Sequence, residues 1–206
     1  RQIMASFGER LTVPAMNWIL LSLLPMRLIR LTHHPSLAAA NGQFMLFRAR
    51  EYRHHRFHRL VRMQHVEDIW IIRTMKAMGY TTHTMLSSGE VACRMYRGYR
   101  EAVAGFTRSM FAFFGGSGIV LLLYTLFTTF GFIFVGMALG AWAAVIYLSA
   151  AWLLRMLVSV MSRQPVGMNM LLAPLQQATF VVMVAETFRR RFRKQNTWKG
   201  RTIRFD

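Results

Sequence analysis

The sequence predicts an α/β domain joined to membrane helices, and three observations lead there. Of 206 residues 54% are hydrophobic, yet Lys and Arg outnumber Asp and Glu by 26 to 8, a formal charge of +18. A disordered basic tail is far poorer in apolar residues, and 14 Gly with one Cys exclude collagen-like and disulfide scaffolds. No charged residue occurs in 109–154, a stretch too long for one membrane helix and long enough for two. Residues 36–116 read in order as strand, helix, helix, strand, strand, helix, a sequence of elements that belongs to an α/β domain.

The elements follow along the chain. In 1–35 an apolar run is punctuated by Pro14 and Pro25 and closed by Arg27 and Arg30. This predicts an interfacial amphipathic segment with Trp18 at headgroup depth; a core helix of the globular part is the alternative. His33, His34 and Pro35 break the run. Asn41, Gly42 and Gln43 form a turn that feeds a short strand over 44–47. A helix covers 49–60. A second covers 67–78, with Ile69, Ile72, Met75 and Met78 at helical spacing, Glu67 and Asp68 in the first turn where the dipole favours anions, and Gly79 as its stop. Residues 80–86 and 90–95 read as strands, and 99–114 as an amphipathic helix leading to the membrane.

Residues 117–188 hold the membrane segments: spans at 118–137 and 141–161 around Gly140, and a weaker apolar segment at 168–187 that contains Pro174, Gln176, Gln177 and Glu186. Residues 189–206 form a basic tail. Sixteen basic residues precede the first span and eight follow the last segment. Positive charge stays cytosolic, so an even number of crossings satisfies both flanks. The expectation is an integral protein of the plasma or inner membrane with two spans, its domain and tail in the cytoplasm, and 168–187 interfacial or re-entrant. Three spans with an exported tail remain the alternative. Glu186 beside Arg189–Arg191 reads as a satisfied interfacial charge. The lone Cys93 gives no disulfide within the chain.

Chemistry-bearing residues are few. His54, His55, His58 and His65 lack accompanying thiolates and carboxylates, and the arginines of 48–62 repel a cation, so no metal site is assigned. There is no G-x-S-x-G and no P-loop. Basic residues beside apolar spans answer to anionic lipid rather than to nucleic acid, which is not expected as a partner. Glu67 and Asp68 are the best catalytic candidates: a carboxylate among apolar neighbours holds a raised pKa and can take a proton from a hydroxyl. The competing reading is a helix N-terminal charge effect with pairing to nearby Arg.

Several strings occur in one order: AlaAsnGlyGlnPheMetLeuPheArg at 40–48, Glu51 and Tyr52, His58, Val66 with Glu67 and Asp68, Lys76 with Gly79, ArgMetTyrArgGly at 94–98 with Glu101 and Gly105, and TrpLysGlyArg at 198–201. Together they resemble the second half of a membrane-bound family 2 glycosyltransferase of the ceramide glucosyltransferase-like or carotenoid and hopanoid type. The resemblance implies the acceptor-side, C-terminal part of a GT-A fold over 36–116, followed by a transmembrane hairpin. It implies inverting transfer from a nucleotide-sugar to a lipid-like acceptor at the cytosolic membrane face. Asp68 would be the base and Glu67 its support, while Asn41, Gly42, Gln43, Arg94, Tyr96, Trp198 and Arg201 would line substrate. A divalent ion, Mg or Mn, would be held by an Asp-x-Asp that this chain lacks, and Arg1 reads as a cut end, so the piece alone is expected to be inactive. Arg56 and Phe57 stand where the family often has two glycines. A processive polymerase is disfavoured, because its Gln-x-x-Arg-Trp is absent. The alternative is a non-catalytic membrane scaffold or transporter subunit.

Overall fold

The computed structural model describes residues 2–24, 26–64, 66–87, 89–193, 197–198 and 201–202. It overturns the predicted fold class. The described residues form eleven helices and one antiparallel pair of two-residue strands, β1 (Thr197–Trp198) and β2 (Arg201–Thr202). A single isolated bridge joins Gln2 and Cys93. None of the three predicted strands forms, and the α/β and GT-A assignments fall with them. The reason is physical: alternation favours an extended backbone, but a strand also needs a neighbour for its N–H and C=O groups. Apart from that bridge, no described segment supplies one. Phe44, Leu46 and Met85 are left exposed.

The chain forms two compact units. One comprises Arg1–Ile19 and Ser87–Asp206, the other Leu20–Leu86, so the predicted 36–116 segment contributes to both.

In the larger unit, α1 (Phe7–Thr12) is capped by Ser6, whose Oγ accepts the Glu9 N–H at 3.3 Å. The Glu9 carboxylate accepts five hydrogen bonds in return: from Ala5 N–H (2.8 Å), the Ser6 hydroxyl (2.9 Å), Gly98 N–H (3.0 Å), and Nε (3.3 Å) and Nη2 (2.8 Å) of Arg94. Its side chain is fully buried while that of Arg94 is 41% exposed, so the carboxyl is shut off from water by its own partners. Gly98 sits at φ 94°, open to glycine, and starts α7 (Tyr99–Phe113). There Arg97 N–H donates to Glu101 at 2.8 Å. The α1 and α7 backbones approach so closely that a Cβ on Gly8 would lie 2.6 Å from Cβ of Tyr99.

Pro14 opens α2 (Pro14–Leu23), as its fixed φ and missing N–H allow. Trp18 on α2 is buried within this unit. The hairpin follows: α8 (Gly118–Leu139), capped by Ser117, and α9 (Ala141–Met161), joined at Gly140 with φ 91°. Gly131 admits the Tyr147 ring, whose hydroxyl donates to Phe127 C=O at 2.5 Å. Both helices are long and apolar enough to cross a membrane, and only 17% and 11% of their most apolar stretches is buried. A hairpin in a soluble core would be covered; here Ile119, Phe127, Ile146 and Leu153 are bare.

The weaker apolar segment becomes α10 (Val166–Leu171) and α11 (Ala173–Phe192). Neither belongs with the two spanning candidates among the described residues. Phe180, Met183 and Val184 of α11 join Ala102, Phe106, Met110 and Leu121 in the unit's core. Glu186 pairs with Arg189 (2.6 Å) and Arg190 (2.7 Å), which hold its pKa at about 2, as the satisfied-charge reading expected.

Glu9 yields a prediction. The Arg94 hydrogen bonds, aided by Ala5, Ser6 and Gly98 against the effect of burial, lower its pKa from 4.5 to about 2. A depressed carboxylate contributes stability above its unfolded pKa and loses it as pH falls toward the folded value. Melting followed by circular dichroism in detergent should therefore weaken between pH 4.5 and 2. Glu9→Gln should lower the melting temperature at pH 7 and flatten this acid limb.

Candidate functional site

The smaller unit contains α3 (Met26–Leu31), α4 (Ala49–His55), α5 (Phe57–Leu60) and α6 (Glu67–Ala77). The helix predicted over 49–60 is broken in two because Arg56 turns left-handed, φ 50° and ψ 55°, as the C-cap of α4. Phe57, Val61 and Ile71 make the core, with Met45, Phe47, Tyr52, Met75 and Tyr80 packed around it.

Asp68 lies in the first turn of α6, and its half-buried carboxyl receives the loop at 41–43. Oδ2 accepts the Gly42 N–H at 2.8 Å and Oδ1 accepts the Ile69 N–H at 2.8 Å. The loop is itself shaped by Asn41: its Oδ1 accepts Gln43 N–H at 3.1 Å and its C=O accepts Phe44 N–H at 3.1 Å. An Asn side chain that bonds the backbone two residues on is an Asx turn, and here it turns the Gly42 N–H toward the carboxylate. Of the predicted site residues, Gly42 and Asp68 thus touch, with Asn41 and Gln43 in the same turn and Glu67 next to Asp68 in the chain. Glu67 is exposed. Burial chiefly raises the pKa of Asp68; the two N–H bonds oppose it and the like charge of Glu67 adds to it. Each carboxylate oxygen offers two lone pairs, so both keep capacity for a hydroxyl proton.

An open, shallow groove of about 350 Å³ is lined by residues that follow the loop in the chain, Met45, Phe47 and Ala49, with Tyr52 and His58. The Tyr52 hydroxyl and His58 Nδ1 are 2.9 Å apart at its polar end. Apolar walls with a few convergent polar groups are the usual form of a small-molecule site.

The remaining predicted site residues belong to the larger unit. Arg94 is spent on Glu9, and Tyr96 packs on the Phe106 ring at 5.1 Å between centroids and fills the space over Gly105. Burial pushes the Tyr96 phenol up. Both serve packing as they stand. Trp198 and Arg201 are backbone partners in the β1–β2 pair; their side chains, like His65, lie outside the described residues.

Among the described residues no three His, Cys, Asp or Glu side chains converge where a metal ion could be held. The resemblance places the ligands of its divalent ion in an Asp-x-Asp, which these residues do not contain. Compared with known proteins, the chain matches no protein-family profile, no curated protein and no solved structure.

Sequence reasoning missed three features. Ser6-x-x-Glu9 has the spacing of a capping box, and that signal was readable. Lys76 is buried with Nζ donating to the carbonyls of Ile29 (2.6 Å) and Thr32 (2.8 Å), so it caps the end of α3; burial lowers its pKa. Arg155 interrupts the second span, a charge visible in the sequence.

A raised carboxyl pKa sets a pH dependence of known sign. Folding then favours the protonated form, so stability present below the unfolded pKa of 3.8 is lost as pH rises through the folded value. Asp68→Asn keeps an oxygen for the Gly42 N–H and removes the charge. Its melting temperature should equal or exceed that of the wild type at pH 7, and its pH profile should lose this step.

Proposed function

We propose that this chain is the acceptor-side, membrane-anchored part of an inverting glycosyltransferase that moves a sugar from a nucleotide-sugar to a lipid-like acceptor. The observation that carries this reading is the hydrogen bond from Gly42 to Asp68. It joins the two strings on which the resemblance most depends, residues far apart in sequence, around one carboxylate. In this reading Asp68 takes the proton from the acceptor hydroxyl as the oxygen attacks the anomeric carbon and the nucleotide leaves from the opposite face. Glu67 keeps Asp68 basic by its charge. The open groove suits an apolar portion of the acceptor. The reading does not depend on a GT-A fold in this chain.

The donor and its divalent ion require ligands other than those of this chain, which has no Asp-x-Asp. The two long apolar helices support insertion in the plasma or inner membrane with the catalytic part and tail cytoplasmic. Anionic lipids are then partners for the basic flanks.

The test uses the complete enzyme assayed for transfer. Asp68→Asn should lower kcat by about 10²–10⁴, the usual range for losing a general base, with donor binding and melting temperature retained. Wild-type turnover in that variant would remove Asp68 as base. Glu67→Gln should cost less and shift the acid limb of the pH profile to lower pH, because the charge of Glu67 raises the Asp68 pKa. For topology, a reporter fused after Asp206 should stay cytoplasmic; an exported reporter would sink the two-span reading.

A further inference from the structure

Arg155 stands in α9 roughly 9 Å from its Met161 end, at about 1.5 Å rise per residue. A cation at that depth of a membrane helix needs a partner, and no carboxylate forms an ion pair with it among the described residues. Its contacts are neutral. Nη1 donates to Oε1 of Gln176 at 3.4 Å and Nη2 to Oε1 of Gln177 at 2.5 Å. The guanidinium lies over the Trp18 ring, 4.6 Å from the centroid. Gln177 in turn donates to Thr128 (3.2 Å) and Thr129 (2.9 Å) on α8.

Three helices and an aromatic face therefore fix the direction of this guanidinium without neutralising it. A guanidinium has five N–H donors, and two are used here. The side chain is only partly covered. The cavity beneath it, walled by Pro14, Trp18, Ser159, Gln164, Asn169 and Gln176, is about 10 Å³, room for at most one water. A ligand must therefore come over the part of the Arg155 side chain that is left uncovered.

We infer that Arg155, oriented by Gln176, Gln177 and Trp18, is a binding site for the phosphate of an anionic lipid lying against the hairpin. The bidentate fork of Arg suits a phosphate, and the depth lets the side chain reach up to a headgroup drawn down to it. The site is separate from Asp68, and it rests on the hairpin's lying in the bilayer, not on sugar transfer.

The full chain, purified in mild detergent from mixed phosphatidylcholine and phosphatidylglycerol vesicles, is examined by native mass spectrometry for retained lipid. Wild type should retain phosphatidylglycerol in preference to phosphatidylcholine, and Arg155→Gln should lower that preference about tenfold, the scale of one lost hydrogen bond to a charged group. Wild type without the preference, or Arg155→Gln with it intact, overturns the site. Far-ultraviolet circular dichroism of Arg155→Gln and retention by Arg155→Lys, which keeps the charge, separate lost binding from lost fold. Excess inorganic phosphate should not displace the lipid; displacement would assign the site to a soluble anion. High salt should leave the preference in place; its collapse would assign it to the basic tail. Extraction with alkaline carbonate reads insertion independently: release of wild type fails the membrane reading, whereas retention without lipid preference fails the Arg155 site alone.

Discussion

The larger unit depends on one buried carboxylate. Glu9 lies near the start of a chain that leaves for a second unit and returns near residue 87. Its partners come from both stretches: Ala5 and Ser6 beside it, Arg94 and Gly98 from the return. Buried without them, the charge would be prohibitive; with them it is a pin that holds the Gly98 turn where α7 begins. The α7 helix then supplies Ala102, Phe106 and Met110 to the core that receives α11 and the first turns of α8. A loop-closing contact of this kind is specified by geometry as much as by energy, since only an anion in that place satisfies a fork of Arg and two backbone N–H groups together.

Polarity within this unit is concentrated rather than scattered. Gln2, Gln164, Asn169 and Gln176 form a chain of amides: Gln164 donates to Gln2, Asn169 to Gln164 and Ser159, and Gln176 to Asn169. Gln176 also donates to the Arg10 carbonyl at 2.9 Å, which ties α11 to α1. In an apolar surrounding an amide left unpaired is costly, so each link narrows the positions that its neighbours can take. The same chain ends on Arg155, where amide oxygens orient a charge that they cannot cancel.

Helix positions were legible because they are local. The spans predicted at 118–137 and 141–161 are α8 and α9, the latter with the same ends, and the 67–78 helix is α6 to within a residue. Sheet pairing is not local. The alternation at 80–86 predicts a strand and none forms there, because nothing in one segment's pattern says whether an edge stands beside it. The Arg56 break was missed for a related reason: a left-handed Arg is decided by Phe57 entering the core, not by helix propensity. At the site, Asn41 through Gln43 and the acidic pair were found as residue types, and only folding showed that they touch. Arg94 was assigned to substrate on motif position alone. In the structure it pairs with Glu9, and no local pattern displays that contact across the returning chain.

In the role proposed for it, Asp68 would be a base made from opposing influences. A general base works best when its pKa is close to the working pH, yet it must be ionised there. Burial and the charge of Glu67 push the carboxyl up; the N–H groups of Gly42 and Ile69, together with the N-terminal end of α6, pull it down. Either set alone spoils the group, the first by leaving it protonated and the second by leaving it too weakly basic. The Asn41 turn matters here because it controls one of the opposing influences. By aiming the Gly42 N–H at Oδ2 it opposes the rise in the carboxyl pKa and fixes its direction, and a Cβ on residue 42 would stand 3.5 Å from that oxygen, an ordinary contact. A side chain would fit without collision, but it would stand against the oxygen that, in the proposed reaction, an acceptor hydroxyl would reach.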